Sequence, residues 1–266
     1  MPALTERDLI WNRTHAVDGE VVARFGRRGQ ELVMEWPDIA RLQCSPDGRR
    51  ARITRFPNAD DGRFAKLRGP IRALVGDLRG GLGLHASAVA IGPKAVLILG
   101  DSGAGKSTTA CELAMSHGAR LLADDAALVV VRRGIPYVEP TEAVHCLWPD
   151  ASKHLGAAPE KDIAYHDKVF VRPPHVARVH VKLALVVALR FDDDAAAGVG
   201  TTRLSGSSAA AYVLRSMFRV DDGAIELRRL DLLQRIHARV PFIELSRSHD
   251  EPSVTTQILQ HLASAK

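Results

Sequence analysis

The residues with the plainest chemical meaning form one run, Gly100-Asp101-Ser102-Gly103-Ala104-Gly105-Lys106-Ser107. It fits the pattern of a glycine, any four residues, then glycine, lysine and serine or threonine. Four residues between two glycines let the backbone curl round a phosphate with its N–H groups pointing inward. Glycine is required there wherever φ is positive or a side chain would block the approach. Ala95–Leu99 is an apolar run before the loop, and Thr108, Cys111, Leu113 and Ala114 follow it with helical spacing. A helix starting at Lys106 would bring its positive dipole end to the same point. Lys106 would reach the β- and γ-phosphates of a nucleotide, and Ser107 would ligate Mg²⁺ through its hydroxyl. Roughly one chain in 200 of this length and composition would carry the pattern by chance. The expected nucleotide contacts run from Gly100 through Thr108, with ATP and Mg²⁺ as the implied cofactors.

Asp124 and Asp125 follow a short apolar segment, eighteen and nineteen residues after Lys106. Near a phosphate loop, a carboxylate at a strand end can hold the metal, a role expected of Asp124. A second carboxylate beside it can take the proton of an attacking hydroxyl, a role open to Asp125 or Asp124. Without the loop, the same pair would read as a polar turn. His85 opens Leu84-His85-Ala86-Ser87-Ala88, where spacing alone suits a structural histidine as well as a catalytic one.

These residues need elements to place them. Up to about residue 82 the chain reads as a small α+β unit. Val21–Phe25 and Glu31–Trp36 are strand-like about Gly26-Arg27-Arg28-Gly29, a hairpin turn signal. Ala51–Phe56 reads as another strand. Phe64, Leu67, Ile71, Leu74, Val75 and Leu78 follow helical spacing, with Gly69-Pro70 marking an alternative start. From residue 83 the pattern becomes α/β. His85–Ile91 and Lys94–Leu99 are apolar runs, Lys106–His117 is helical with Gly118 as its stop, and Ala127–Val131 is a strand. Val181–Leu189 suits a buried strand. Ser207–Phe218 and Leu230–Ala238 read as helices, Phe242–Leu245 as a strand and Ser253–Ala263 as a closing helix. The expected organisation is therefore residues 1–82 and residues 83–266.

Composition excludes other classes. The 266 residues are 46% hydrophobic and 25% charged, enough apolar material for a core. Lys+Arg 36 against Asp+Glu 31 gives a net charge of +5, carried mostly by arginine. That balance, with no long run of one sign, argues for a solvated surface and against nucleic acid as a partner. Arg27, Arg28, Arg49, Arg50, Arg52 and Arg55 read the same way. Cys44, Cys111 and Cys146 are widely spaced, which excludes a zinc ribbon or redox dithiol and favours the cytoplasm. Met1–Gly19 lacks the apolar core of a signal peptide, and no apolar run is long enough for a membrane span.

The stretch Leu84–Ala126, LHASAVAIGPKAVLILGDSGAGKSTTACELAMSHGARLLADDA, resembles the HPr serine kinase/phosphorylase superfamily. Within it, the "LHAS" start and "SGAGKST" loop are most similar to the HPr-kinase-related proteins, including lasso-peptide precursor kinases. Leu147-Trp148-Pro149-Asp150 and Asp167-Lys168 add a weaker likeness. The resemblance implies an HPr-kinase-like phosphate-loop core and transfer of the γ-phosphoryl group of ATP to a serine of a peptide or small protein. It implies that Lys106 and Ser107 meet nucleotide and metal, that Asp124 and Asp125 serve as metal-side carboxylate and base, that His85 lies beside them, and that Lys168 touches phosphate. The Glu-Ile-Arg-Gly signature of the bifunctional enzymes is missing; Glu139 and Glu142 are the nearby acids, and Cys146 stands where an arginine commonly precedes Leu-Trp. Kinase activity alone fits these departures best. A homo-oligomer is compatible with the resemblance. A small-molecule kinase, for instance of free serine, and an ATP-binding sensor without turnover stay open as alternatives.

Overall fold

A computed structural model describes residues 9–17, 19–165, 167–192, 198–218, 220, 222–248 and 253–265. The chain opens with an antiparallel meander of β1 (Leu9–Val17), β2 (Glu20–Arg28), β3 (Glu31–Trp36), β4 (Ala40–Cys44) and β5 (Ala51–Arg55), paired in that order. The β2–β3 hairpin turns later than its sequence suggests. Arg28 pairs with Glu31, so Gly29 and Gln30 make the turn and Gly26-Arg27-Arg28 belong to β2. Gly26 is needed inside the strand because a Cβ there would lie 2.3 Å from the Ile10 carbonyl of β1.

The helix expected over Phe64–Leu78 is two helices. Asp60 caps α1 (Asp61–Lys66) by accepting from the Arg63 amide at 2.7 Å, and the chain breaks at Leu67 before α2 (Arg68–Leu78). Pro70 falls in the first turn of α2, where its missing N–H leaves no helix bond unmade. Ile71, Leu74, Val75 and Leu78 of α2 pack with Met34, Leu42 and Cys44 of the meander. Ala73 packs instead with Ala126 and Leu128 of the second sheet, so α2 is shared between the two.

The larger part contains β6 (Leu82–Leu84), β7 (Ser87–Ile91), β8 (Lys94–Gly100), α3 (Lys106–His117), β9 (Arg120–Ala123), β10 (Ala127–Arg132) and β11 (Ile135–Glu139). β12 (His145–Leu147), α4 (Pro149–His154), β13 (Pro159–Tyr165) and β14 (Lys168–Val171) follow, and the three strands form a small sheet of order β12-β14-β13. β15 (Val181–Phe191), β16 (Gly200–Leu204), α5 (Gly206–Ser216), α6 (Gly223–His237), β17 (Phe242–Arg247) and α7 (Thr255–Ser264) complete the fold. The main sheet runs β6-β10-β11-β15-β8-β7-β9, with β17 also on β15 and β16 on β17. Among the described strand pairs β8–β15 and β15–β17 are parallel and the others antiparallel, so the fold is mixed α/β.

Alternation along the central strands builds two cores. Leu97 and Leu99 of β8 join one with residues of α5 and α6, while Val96 and Ile98 join the other with residues of α3 and α7. In β15 a register shift between Leu183 and Leu185 lets Ala184 and Leu185 enter the same core before alternation resumes. Among the described residues no helix is long and apolar enough to cross a membrane.

Candidate functional site

The phosphate-loop motif lies between β8 and α3. Gly100, Gly103 and Gly105 have φ of 144°, 85° and 88°, conformations that favour glycine. Gly105 also faces a neighbour. A Cβ there would stand 2.5 Å from a guanidinium nitrogen of Arg247 at the end of β17. The Lys106 ammonium is held inside the curl, donating to the carbonyls of Gly100 at 3.0 Å and Asp101 at 2.9 Å. Burial lowers its pKa, against the pull of Asp125 and Asp124. Ala104 and Thr109 anchor the loop and first turn in the core, while Asp101 and Ser102 are exposed. Thr108, expected among the nucleotide contacts, is half-buried in that turn, and Ser107 opens onto a cleft.

Asp124 and Asp125 leave β9 in opposite environments. Asp124 is fully buried, accepting from the Ser87 hydroxyl at 2.7 Å and the Cys146 amide at 2.8 Å. It ties β7 to β12. In this structure Asp124 has no face open to solvent, and both its carboxylate oxygens are engaged. Asp125 has φ of 69°, which turns its carboxylate out into the cleft. There it meets the Lys66 ammonium at 3.5 Å and Nδ1 of His85 at 3.2 Å. Burial would raise the Asp125 carboxyl, but Lys66 and His85 outweigh it and hold the group well below the usual carboxylate range. Burial likewise opposes the charge of Lys66, yet Asp125 and Asp124 leave its pKa above the ordinary lysine value.

His85 lies between β6 and β7, not within a strand as expected. Its Nδ1 is 3.0 Å from the Asp125 carbonyl, so a proton on that nitrogen joins His85 to both the backbone and the carboxylate of Asp125. Lys168 lines the same cleft, with its ammonium 5.0 Å from the Trp148 ring centre. Glu139 is elsewhere, paired with Arg132. Glu142 and His145 sit behind the site with buried polar atoms that have no protein partner. Burial raises the Glu142 carboxyl and lowers the His145 imidazole.

Sequence reading did not single out Lys66. One signal was available: it is the only lysine before residue 94, in a region whose other bases are arginine or histidine. Phe25, Met34 and Trp36 were legible as strand residues but not as a wall of the cleft.

The loop fits a nucleotide phosphate: its glycines adopt the required backbone, Lys106 is held at its centre and the α3 N-terminus opens onto it. Among the described residues no group of three or more His, Cys, Asp or Glu side chains could hold a metal. The Ser107 hydroxyl, which opens onto the cleft, would be one ligand of a nucleotide-bound magnesium. No protein-family model matches the chain, and no curated protein matches it. Among solved structures, it is similar to the HPr(Ser) kinase/phosphatase from Coxiella burnetii, at 13% identity and a TM-score of 0.36 over 68% of this chain and 94% of that one.

Proposed function

We propose that this protein is an ATP- and Mg²⁺-dependent kinase that phosphorylates a serine hydroxyl of a peptide or small protein, with a lasso-peptide precursor as one acceptor of that kind. One observation carries the reading: Asp125, held ionised by Lys66, opens into the same cleft as Ser107, the second residue of the helix behind the phosphate loop. Phosphoryl transfer asks mainly for positioning and charge neutralisation, and these residues supply both.

In this reading Gly100–Lys106 bind the phosphates, and the Ser107 hydroxyl holds Mg²⁺, which neutralises charge on the phosphate oxygens. Asp125 accepts a hydrogen bond from the acceptor hydroxyl and sets its oxygen in line. That oxygen bonds to the γ-phosphorus as the bond to the bridging oxygen breaks, and ADP departs with the electron pair. The hydroxyl proton passes to Asp125 and on to solvent. As an ionised carboxylate Asp125 orients the hydroxyl, with proton removal late, as a loose transition state permits. His85 and Lys66 are positioning residues that fix the Asp125 carboxylate. Asp124 supports the site as a strut between strands.

The test is γ-phosphoryl transfer from labelled ATP to serine peptides, small proteins and metabolites, with wild type beside Asp125→Asn. The variant should lose about 10²–10⁴ in turnover while keeping nucleotide affinity. Undiminished transfer would remove the assignment of Asp125. Label only in a small molecule would replace the peptide acceptor with a metabolite. ATP binding with no transfer to any acceptor would favour a nucleotide sensor.

A further inference from the structure

The cleft that holds Ser107 and Asp125 does not end at them. It extends over 660 Å³ to the inner face of the N-terminal meander, where Ala23, Phe25, Met34 and Trp36 line it. Phe25 and Met34 are directly paired across β2 and β3, and Trp36 lies two residues further on the same face. Ala23 and Met34 are buried, while Phe25 and Trp36 are only partly covered. The result is one continuous cavity, charged at the Asp125 end and aromatic at the other.

We propose that this cavity binds a peptide acceptor whose serine is flanked by a bulky apolar side chain, with that side chain seated on Phe25, Met34 and Trp36. The inference rests on the kinase reading and extends it to substrate class. Three observations carry it. The volume is that of a site for a drug-sized ligand, so free serine would leave most of it to water. The meander wall is apolar at Phe25, Met34 and Trp36, with His15 beside Ala23 at its margin, so its apolar part is stabilised by a group that removes it from water. In-line transfer also places leaving nucleotide and acceptor on opposite sides of phosphorus, so the space beyond Asp125 belongs to the acceptor and not to the nucleoside.

The experiment compares free serine with short peptides carrying one serine beside Leu, Phe, Gly or Asp, read as kcat/KM for phosphate transfer. Peptides with Leu or Phe should exceed the Gly peptide by roughly tenfold or more, the worth of burying one such side chain. Trp36→Ala should erase that difference, mostly through KM, with ADP affinity kept. Ala23→Phe, which grows into the cleft from the same face, should block the apolar peptides as well. Melting curves check that both variants fold, and the wild-type comparison decides the matter without them. Equal rates for Gly and Leu peptides, preference for free serine, or loss of ADP affinity in Trp36→Ala would each overturn the proposal. If no acceptor is labelled, the kinase reading fails separately. Fluorescent peptides with serine replaced by alanine then judge the cleft: tighter binding of the Leu and Phe peptides that depends on Trp36 supports it, and no such preference overturns it.

Discussion

At the scale of single residues, Lys66 and Asp125 define each other. The carboxyl is held far below its ordinary 3.8, and the ammonium is held above its ordinary 10.5. The sign of the linkage follows. Asp125 contributes stability above the unfolded carboxylate pKa and loses it as pH falls through the depressed folded value. Lys66 contributes below the unfolded lysine pKa and loses it as pH rises through the raised folded value. Across neutral pH the pair is constant, so ionisation of Asp125 should put no acid limb into the pH–rate profile of wild type. Lys66→Met removes the largest group opposing burial and leaves His85 and Lys168, so the carboxyl rises from its depressed value. The variant should lose turnover on the acid side at a higher pH than wild type does. A pH–rate profile unchanged by the substitution would show that Lys66 does not govern Asp125.

At the scale of elements, the tether between α2 and α6 has a clear energetic signature. Asp77 and Arg229 are both fully buried, joined at 2.8 Å, while Arg228 donates to the Asp77 carbonyl at 2.6 Å and the Gly83 amide to its carboxylate at 3.0 Å. Removing Asp77 leaves the Gly83 amide without that acceptor and Arg229 with Glu226 alone. Asp77→Ala should cost about 3–5 kcal/mol of unfolding free energy, whereas Asp77→Leu with Arg229→Met should recover much of it. Chemical denaturation of the two variants checks both. This tether was invisible in the sequence because its members lie far apart in the chain and carry no local pattern. The phosphate loop was legible for the opposite reason: glycine spacing, the preceding apolar run and the following helix are all local. β8 and α3 appeared almost residue for residue, as did β15 and β17 in outline. β12 and β14 did not, since strands of three and four residues become strands only through partners elsewhere. The split of α1 from α2 was half visible, in Gly69-Pro70, but the break lies earlier, at Leu67.

At the scale of the whole molecule, nucleotide binding should appear as stability. A ligand at a hundredfold over its Kd adds about 2.7 kcal/mol. For a chain of this size that raises the melting temperature by roughly 5–10 °C. Thermal melts with ATP and Mg²⁺ measure it, and Lys106→Ala should abolish most of the shift relative to that variant's own unliganded melt. An equal shift in that variant would place the nucleotide elsewhere. A further consequence lies in β15, which pairs with β8 on one side and with β11 and β17 on the other. The phosphate loop leaves the end of β8, and Arg247 reaches Gly105 from the end of β17. The loop is written before the strands that support it on that side. A nascent chain still lacking β15 and β17 holds the whole motif with β7 beside it but not the strands on the other edge of β8, so competence for nucleotide waits until β17 is made. Until then the apolar edge of β8 is unpaired, and in that interval the protein is most exposed to misassociation.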